Sequence, residues 1–244
     1  MKKIPTLFVR NYERGKITGI KDELTKPELQ IVLDGKTKAT IKTDGACAAV
    51  IDGMTYKRYD AKNGKPIPNG AIKCQEEADP ITGHLPCWVP IRRDNPADKW
   101  FVKAFETRIK CNKMDDGTYE VYGKHFNGNP YELAEDFTIK HGIETIVEMS
   151  YKPLTFEKIK DWLYNHNQEG IVFWYGNKPL CKIKRSDFGM PWGQHSKPIY
   201  DDMDKQGNGF SIDEQNGFIR IMCGDECGNA GGYLELPKSM FNVR

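Results

Sequence analysis

The stretch KATIKTDGACAAVIDGMTYKRYDAKNGK, residues 38–65, decides how the rest of the chain is read. Residues 36–42, 46–51 and 54–59 read as short strands. Asp52-Gly53 is the two-residue signal that folds the last two into a hairpin. Lys42 stands at the end of the first strand, with Gly45 relaxing the backbone just beyond it. A strand lysine is ordinarily a solvated side chain. To act as a nucleophile it must be neutral, and an ordinary lysine amine titrates near ~10.4. Burial or neighbouring cations have to lower that value.

Working outward, Asn95-Pro96 opens a helix through ADKWFVKAFETRI, with Asn95 as cap and Pro96 in the first turn. DDGTYEVYG (115–123) reads as a turn and then a strand. In TFEKIKDWLYNH (155–166), Ile159, Trp162, Leu163 and His166 recur at helical spacing behind a Thr155 cap. EGIVFWYGNKPLCKIKR (169–185) reads as two strands around Gly176-Asn177. The residues between 217 and 238 read as two further strands around a glycine-rich turn. Strands and helices intermingle without a regular βαβ alternation, which predicts an α+β fold of antiparallel sheets flanked by helices.

At 244 residues the chain fits one large domain or one domain with a small appendage. Its net charge of +2 excludes a wholesale polybasic coat, but local patches remain. Lys57, Arg58, Lys62 and Lys65 form one basic group, and Arg92 and Arg93 in WVPIRR another. Interleaved with aromatics, they suit phosphate contacts and base stacking; the competing reading is a solvated face. The apolar run before Arg10 is too short for a signal peptide, and no run approaches the roughly 18 apolar residues of a membrane helix. Seven cysteines, an odd and scattered set, predict reduced thiols in a cytoplasmic protein rather than a disulfide framework. Cys223 and Cys227 in CGDEC resemble half a zinc site, with no second pair at suitable spacing.

The chemistry-bearing residues fall in a definite order. In LCKIKR the strand period of two puts Lys182 and Lys184 on one face, with Cys181 and Ile183 on the other. Glu120 alternates with Tyr119 and Val121, and Glu169 precedes Gly170 and the apolar strand 171–175. Such carboxylates can hold Mg²⁺ or a ribose hydroxyl near phosphates. Each is unremarkable singly. Lys-x-Asp-Gly, then a strand Glu, then Glu-Gly before an apolar strand, then Lys-x-Lys is a specific succession.

With these residues in view, the chain resembles the covalent nucleotidyltransferases, the superfamily of ATP-dependent polynucleotide ligases and mRNA-capping guanylyltransferases. KTDG (42–45) is similar to the nucleophile motif, YEVYGKHFNGNPY (119–131) to the third motif, EGIVFW (169–174) to the fourth and CKIKR (181–185) to the fifth. LPCWVPIRRDNPADKWFVKAFE, GTYEVYGKHFNGNPYEL and KRSDFGMPWG bring it nearer to the small 5′-to-3′ RNA ligases of cells and large viruses. The resemblance covers roughly residues 1–193.

It implies a nucleotidyltransferase (ATP-grasp-like ligase) domain over residues 1–193, followed by a short β-rich C-terminal extension over 194–244. Lys42 would become linked to AMP, and AMP would pass to an RNA 5′-phosphate before a 3′-hydroxyl attacks and expels it. Lys182 and Lys184 would contact nucleotide phosphates, and Glu169 the metal, Mg²⁺ or Mn²⁺. Glu120 would serve the ribose or the metal. Arg58 would lie near the phosphates, Thr40 and Ile41 beside the nucleotide, and either Phe137 or His141 would stack on adenine. Lys57, Lys62, Arg92 and Arg93 would meet the RNA. The implied protein is a monomer that uses ATP and RNA ends and no membrane. A DNA ligase, a GTP-dependent RNA guanylyltransferase and a non-catalytic RNA-end-binding protein remain the alternatives.

Overall fold

The structure, a computed structural model, describes residues 4–62, 65–80, 82–111, 114–148, 153–203, 209–224 and 233–241. Cys227 and most of the glycine-rich turn near it lie outside them. The first half of the chain forms β1 (Phe8–Glu13), β2 (Lys16–Leu24), α1 (Gln30–Leu33), β3 (Lys38–Lys42), β4 (Ala46–Ile51), β5 (Met54–Ala61), β6 (Ile72–Lys73), β7 (Leu85–Pro90) and α2 (Lys99–Cys111). The second half forms β8 (Gly117–Gly123), β9 (Asp136–Lys140), α3 (Phe156–Asn165), β10 (Gly170–Tyr175), β11 (Lys178–Lys184), β12 (Lys197–Asp201), β13 (Gly209–Gln215), β14 (Phe218–Gly224) and β15 (Tyr233–Pro237). The fold is α+β with mostly antiparallel sheets. No helix of the described residues is long and apolar enough to cross a membrane.

Two compact units interleave along the chain. The first comprises Met1–Pro5, Thr37–Glu148 and Val172–Cys181; the second comprises Thr6–Lys36, Met149–Ile171 and Lys182–Arg244. No unit boundary falls at residue 193. Residues 194–244 share a unit with α3 because Arg185 Nη2 donates to Asn216 O at 3.0 Å and Asn167 Nδ2 to Glu235 Oε1 at 3.4 Å.

In the first unit, a six-stranded sheet runs β6-β7-β5-β4-β8-β9. Asp52 and Gly53 turn β4 into β5 with φ of 51° and 72°, the positive pair that a two-residue hairpin demands. The register sets Ala48 opposite both Lys57 and Tyr119, and Ala49 opposite both Tyr56 and Thr118. Strand parity then gives each face its own composition. One face carries Ala48, Val50, Tyr119 and Val121, packed on Ala104 and Phe105 of α2. Each such large apolar side chain contributes about 1.5–3 kcal/mol through burial. The other face carries Ala49, Tyr56 and Trp88, with Cys47 beside them. The expected caps are present: Asn95 Oδ1 accepts from Ala97 N–H at 3.1 Å, and Thr155 Oγ1 accepts from Lys158 N–H at 3.2 Å.

In the second unit, the β1–β2 hairpin and the four-stranded sheet β12-β13-β14-β15 were not foreseen as such. The C-terminal residues build that sheet of their own rather than extending the main one. Arg185 organises its surroundings. Its buried guanidinium donates to Leu163 O, to His166 O at 3.0 Å, to Pro191 O at 3.1 Å and to Asn216 O. Burial pulls it down to about 10, still charged at neutral pH.

Asp98 offers the clearest test of the first unit. It is fully buried, pairs with Lys57 Nζ, and accepts from Arg92 N–H at 3.0 Å and Asn95 Nδ2 at 3.2 Å. Asp98→Ala strips all three donors of their acceptor. Lys57 keeps partial access to water, so the expected loss is about 2 kcal/mol in urea unfolding, below the ~3–5 kcal/mol of a fully dry pair. An unchanged midpoint would refute this anchoring role.

Candidate functional site

Lys42 ends β3, a strand anchored on both sides. Thr40 Oγ1 accepts from Trp174 Nε1 at 2.9 Å, and Ile41 N–H donates to Thr145 O at 2.9 Å. Thr40 is buried and Lys42 is half-buried. Beyond Lys42 the chain must cross to β4, and the crossing explains the Asp-Gly. A Cβ on Gly45 would strike Val121 O and stand 3.0 Å from both Glu120 Cγ and Tyr122 Cβ. Only glycine lets the turn lie this close to β8.

Two side chains from the NGNPY segment fasten that turn. Asn127 Nδ2 donates to Asp44 Oδ1 at 2.8 Å and to Gly45 O at 2.6 Å. Asp44 N–H donates to Tyr131 Oη at 2.8 Å. Asn127 and Asn129 both adopt left-handed backbone, with φ of 46° and 55°. The sequence reading missed Asn127 and Tyr131 as site residues. Asn-Gly and Asn-Pro in succession marked the tight loop that presents them.

On the sheet face opposite α2, parity gathers residues far apart in sequence. Cys47 pairs with Glu120, which pairs with Ile139. Phe137 and His141 follow on the same face, and Arg58, opposite Trp88, joins it from β5. Glu120 Oε2 lies 3.0 Å from His141 Nε2, and His141 Nδ1 lies 3.0 Å from Thr118 Oγ1. An ionised carboxylate only accepts, so Nε2 carries a hydrogen in that pairing and the Thr118 hydroxyl adapts to Nδ1. Phe137 is 44% exposed and tilted against Tyr122; His141 is held by Glu120 and Thr118. Arg58 Nε donates to Asp60 Oδ1 at 2.8 Å.

Three of the four cations expected to meet RNA have carboxylate partners. Lys57 points to the α2 face and is engaged by Asp98. Arg92 and Arg93 are exposed, and they pair with Asp94 and Glu106 respectively. Lys62 is exposed.

Glu169, Lys182 and Lys184 belong to the second unit. Glu169 is 2% exposed, and its Oε1 lies 2.8 Å from Lys184 Nζ. Strand parity holds: Cys181 and Ile183 are buried, while Lys182 and Lys184 are half-buried. Lys182 O accepts from Leu7 N–H, and Glu169 O from Arg185 N–H. A Cβ on Gly170 would meet Ile183 O and lie 3.0 Å from Lys184 Cα, so this glycine brings the start of β10, next to Glu169, against β11.

Neither a comparison with protein-family models nor one with curated proteins returned a match.

Two outcomes are expected. Tyr131→Phe deletes the acceptor of Asp44 N–H, a bond worth about 1 kcal/mol, so amide exchange at Asp44 accelerates about fivefold. Unchanged exchange would show that Tyr131 does not hold the turn. Burial, and then the Glu120 charge, push the Cys47 thiol up to about 12; burial alone does the same for Cys181. A raised thiol favours the folded state below pH 9 and loses that contribution as pH climbs towards 12. Stability should therefore fall across that interval, and fall less in Cys181→Ala. Equal slopes would contradict the burial effect.

Proposed function

We propose that this protein is an ATP-dependent RNA ligase that joins 5′-phosphate to 3′-hydroxyl ends through a lysyl-AMP intermediate. The observation that carries the reading is the seating of the Lys42–Gly45 turn on β8 beside Glu120, fastened by Asn127 and Tyr131. A solvated strand lysine has no need of so constrained a turn. The first and third motifs of the resemblance are thus joined by hydrogen bonds, and Arg58, Glu120, Phe137 and His141 share one sheet face.

In the first step Lys42 Nζ attacks the α-phosphorus of ATP. A P–N bond forms, the bond to pyrophosphate breaks, and the attacking neutral amine gives up one proton to solvent, keeping the other in the phosphoramidate. The RNA 5′-phosphate then attacks the same phosphorus, releasing Lys42 and forming a 5′–5′ anhydride. Last, the 3′-hydroxyl attacks the RNA phosphate and AMP leaves. All three are in-line displacements at phosphorus, where positioning and charge neutralisation supply the catalysis. Phe137 offers an exposed ring for the base, and Arg58 a cation for phosphate oxygens. Lys182 and Lys184 are assigned the same charge role. Glu120 and Glu169 are each carboxylates of the kind that would hold Mg²⁺ or Mn²⁺, and such an ion would neutralise phosphate charge.

Label transfer tests the proposal. With α-phosphate-labelled ATP and Mg²⁺, the chain should acquire acid-stable label that Lys42→Ala abolishes, while circular dichroism stays unchanged. Labelling by GTP alone would replace ligation with capping chemistry. No labelling by either nucleotide, from folded protein not already adenylylated, would overturn covalent transfer altogether.

A further inference from the structure

We propose that Cys47, Glu120 and His141 form a binding site for a thiophilic divalent cation, with Zn²⁺ the ion their donors fit best. Their Sγ, carboxylate oxygen and ring nitrogen all lie within 4.8 Å of one another. The grouping is built on sheet geometry rather than loop conformation. Cys47 and Glu120 are directly opposite in the β4–β8 ladder, and His141 N–H donates to Thr118 O one step beyond β9. Two paired strands, and a backbone bond that holds the first residue after a third, therefore set the three Cβ positions before any ion arrives.

The donor set discriminates between metals. Mg²⁺ takes oxygen and keeps its waters, whereas one thiolate, one imidazole and one carboxylate match Zn²⁺. Three protein ligands leave the fourth tetrahedral position to water or a small oxygen donor. An outer contact supports the histidine. The Thr118 hydroxyl lies 3.0 Å from His141 Nδ1, where it fixes the ring plane. The Glu120 and His141 side chains retain 13% and 19% exposure, enough for an ion to enter and too little for either to swing freely into solvent. Binding involves no redox step. The Cys47 thiol proton leaves to solvent as the sulfur–metal bond forms; the imidazole stays neutral by exchanging tautomer through solvent, giving up the Nε2 hydrogen and taking one at Nδ1, which then donates to Thr118 Oγ1.

This site needs no nucleotide, and its test does not depend on the ligase reading. The 244-residue chain without a polyhistidine tag is stripped with chelator and titrated with Co²⁺, then back-titrated with Zn²⁺. One equivalent of Co²⁺ should produce a thiolate-to-metal charge-transfer band and tetrahedral visible bands, both abolished by Zn²⁺. Cys47→Ser, a near-isosteric change, should remove the charge-transfer band. Glu120→Gln and His141→Ala should each weaken binding about tenfold or more. Cys223→Ser, at an exposed thiol, should leave the spectrum intact. Absence of the band in the unmutated chain overturns the proposal, as does its persistence in Cys47→Ser or its loss in Cys223→Ser. Label transfer to Lys42 can succeed or fail without altering any of these spectra.

Discussion

The pairing of β4 between β5 and β8 is the constraint on which the first unit depends. Cys47 stands opposite Glu120, and Ala48 opposite both Lys57 and Tyr119. A slip of one residue would exchange the faces, placing Tyr119 and Val121 in the site and Glu120 against α2. The apolar contacts of Tyr119 and Val121 with Phe105 therefore act at a distance: they hold the register that presents Glu120. Folding energy and site geometry share one set of hydrogen bonds.

Glycine marks where this geometry is tightest. Gly45 admits the turn after Lys42 onto β8, and Gly170 admits the strand after Glu169 onto β11. In both motifs, Lys-Thr-Asp-Gly and Glu-Gly, the charged residue is followed by a glycine whose missing Cβ lets backbone meet backbone. Close approach fixes the main chain beside the functional side chain without filling the space that a ligand would use. A larger residue at either place would push apart the strands that aim Lys42 or Glu169. The glycines of these motifs thus have a steric reason that is independent of any reaction.

Much of this was legible in the sequence because it rests on local rules. The Asp52-Gly53 hairpin, the Asn95 and Thr155 caps and the parity of Lys182 with Lys184 follow from turn chemistry and strand period alone. What escaped required knowledge of partners. Lys57 and Arg58 are adjacent in a basic run, yet parity sends one to Asp98 and leaves the other on the site face. Asn127 and Tyr131 act through bonds to Asp44 and Gly45 that span more than eighty positions. The β13–β14 hairpin did carry a strong turn dipeptide, Asn216-Gly217 with φ of 51° and 81°, which the sequence reading passed over; the β1–β2 hairpin turns on Arg14-Gly15, and its two register shifts are set by tertiary pairing.

Glu120 is where two chemistries meet. As a carboxylate it suits a hard cation accompanying phosphates; with Cys47 and His141 it becomes part of a softer set. The same oxygen cannot serve both ions at full strength, because each demands its own coordination geometry. Occupation by Zn²⁺ would insert the ion between the Glu120 oxygen and the His141 nitrogen that now lie 3.0 Å apart, while Mg²⁺ would leave the thiol protonated and apart. Cys47 therefore sets the metal preference of this face: a residue without sulfur there would leave Glu120 and His141 to oxygen-seeking ions, and the thiol makes the face responsive to a different one.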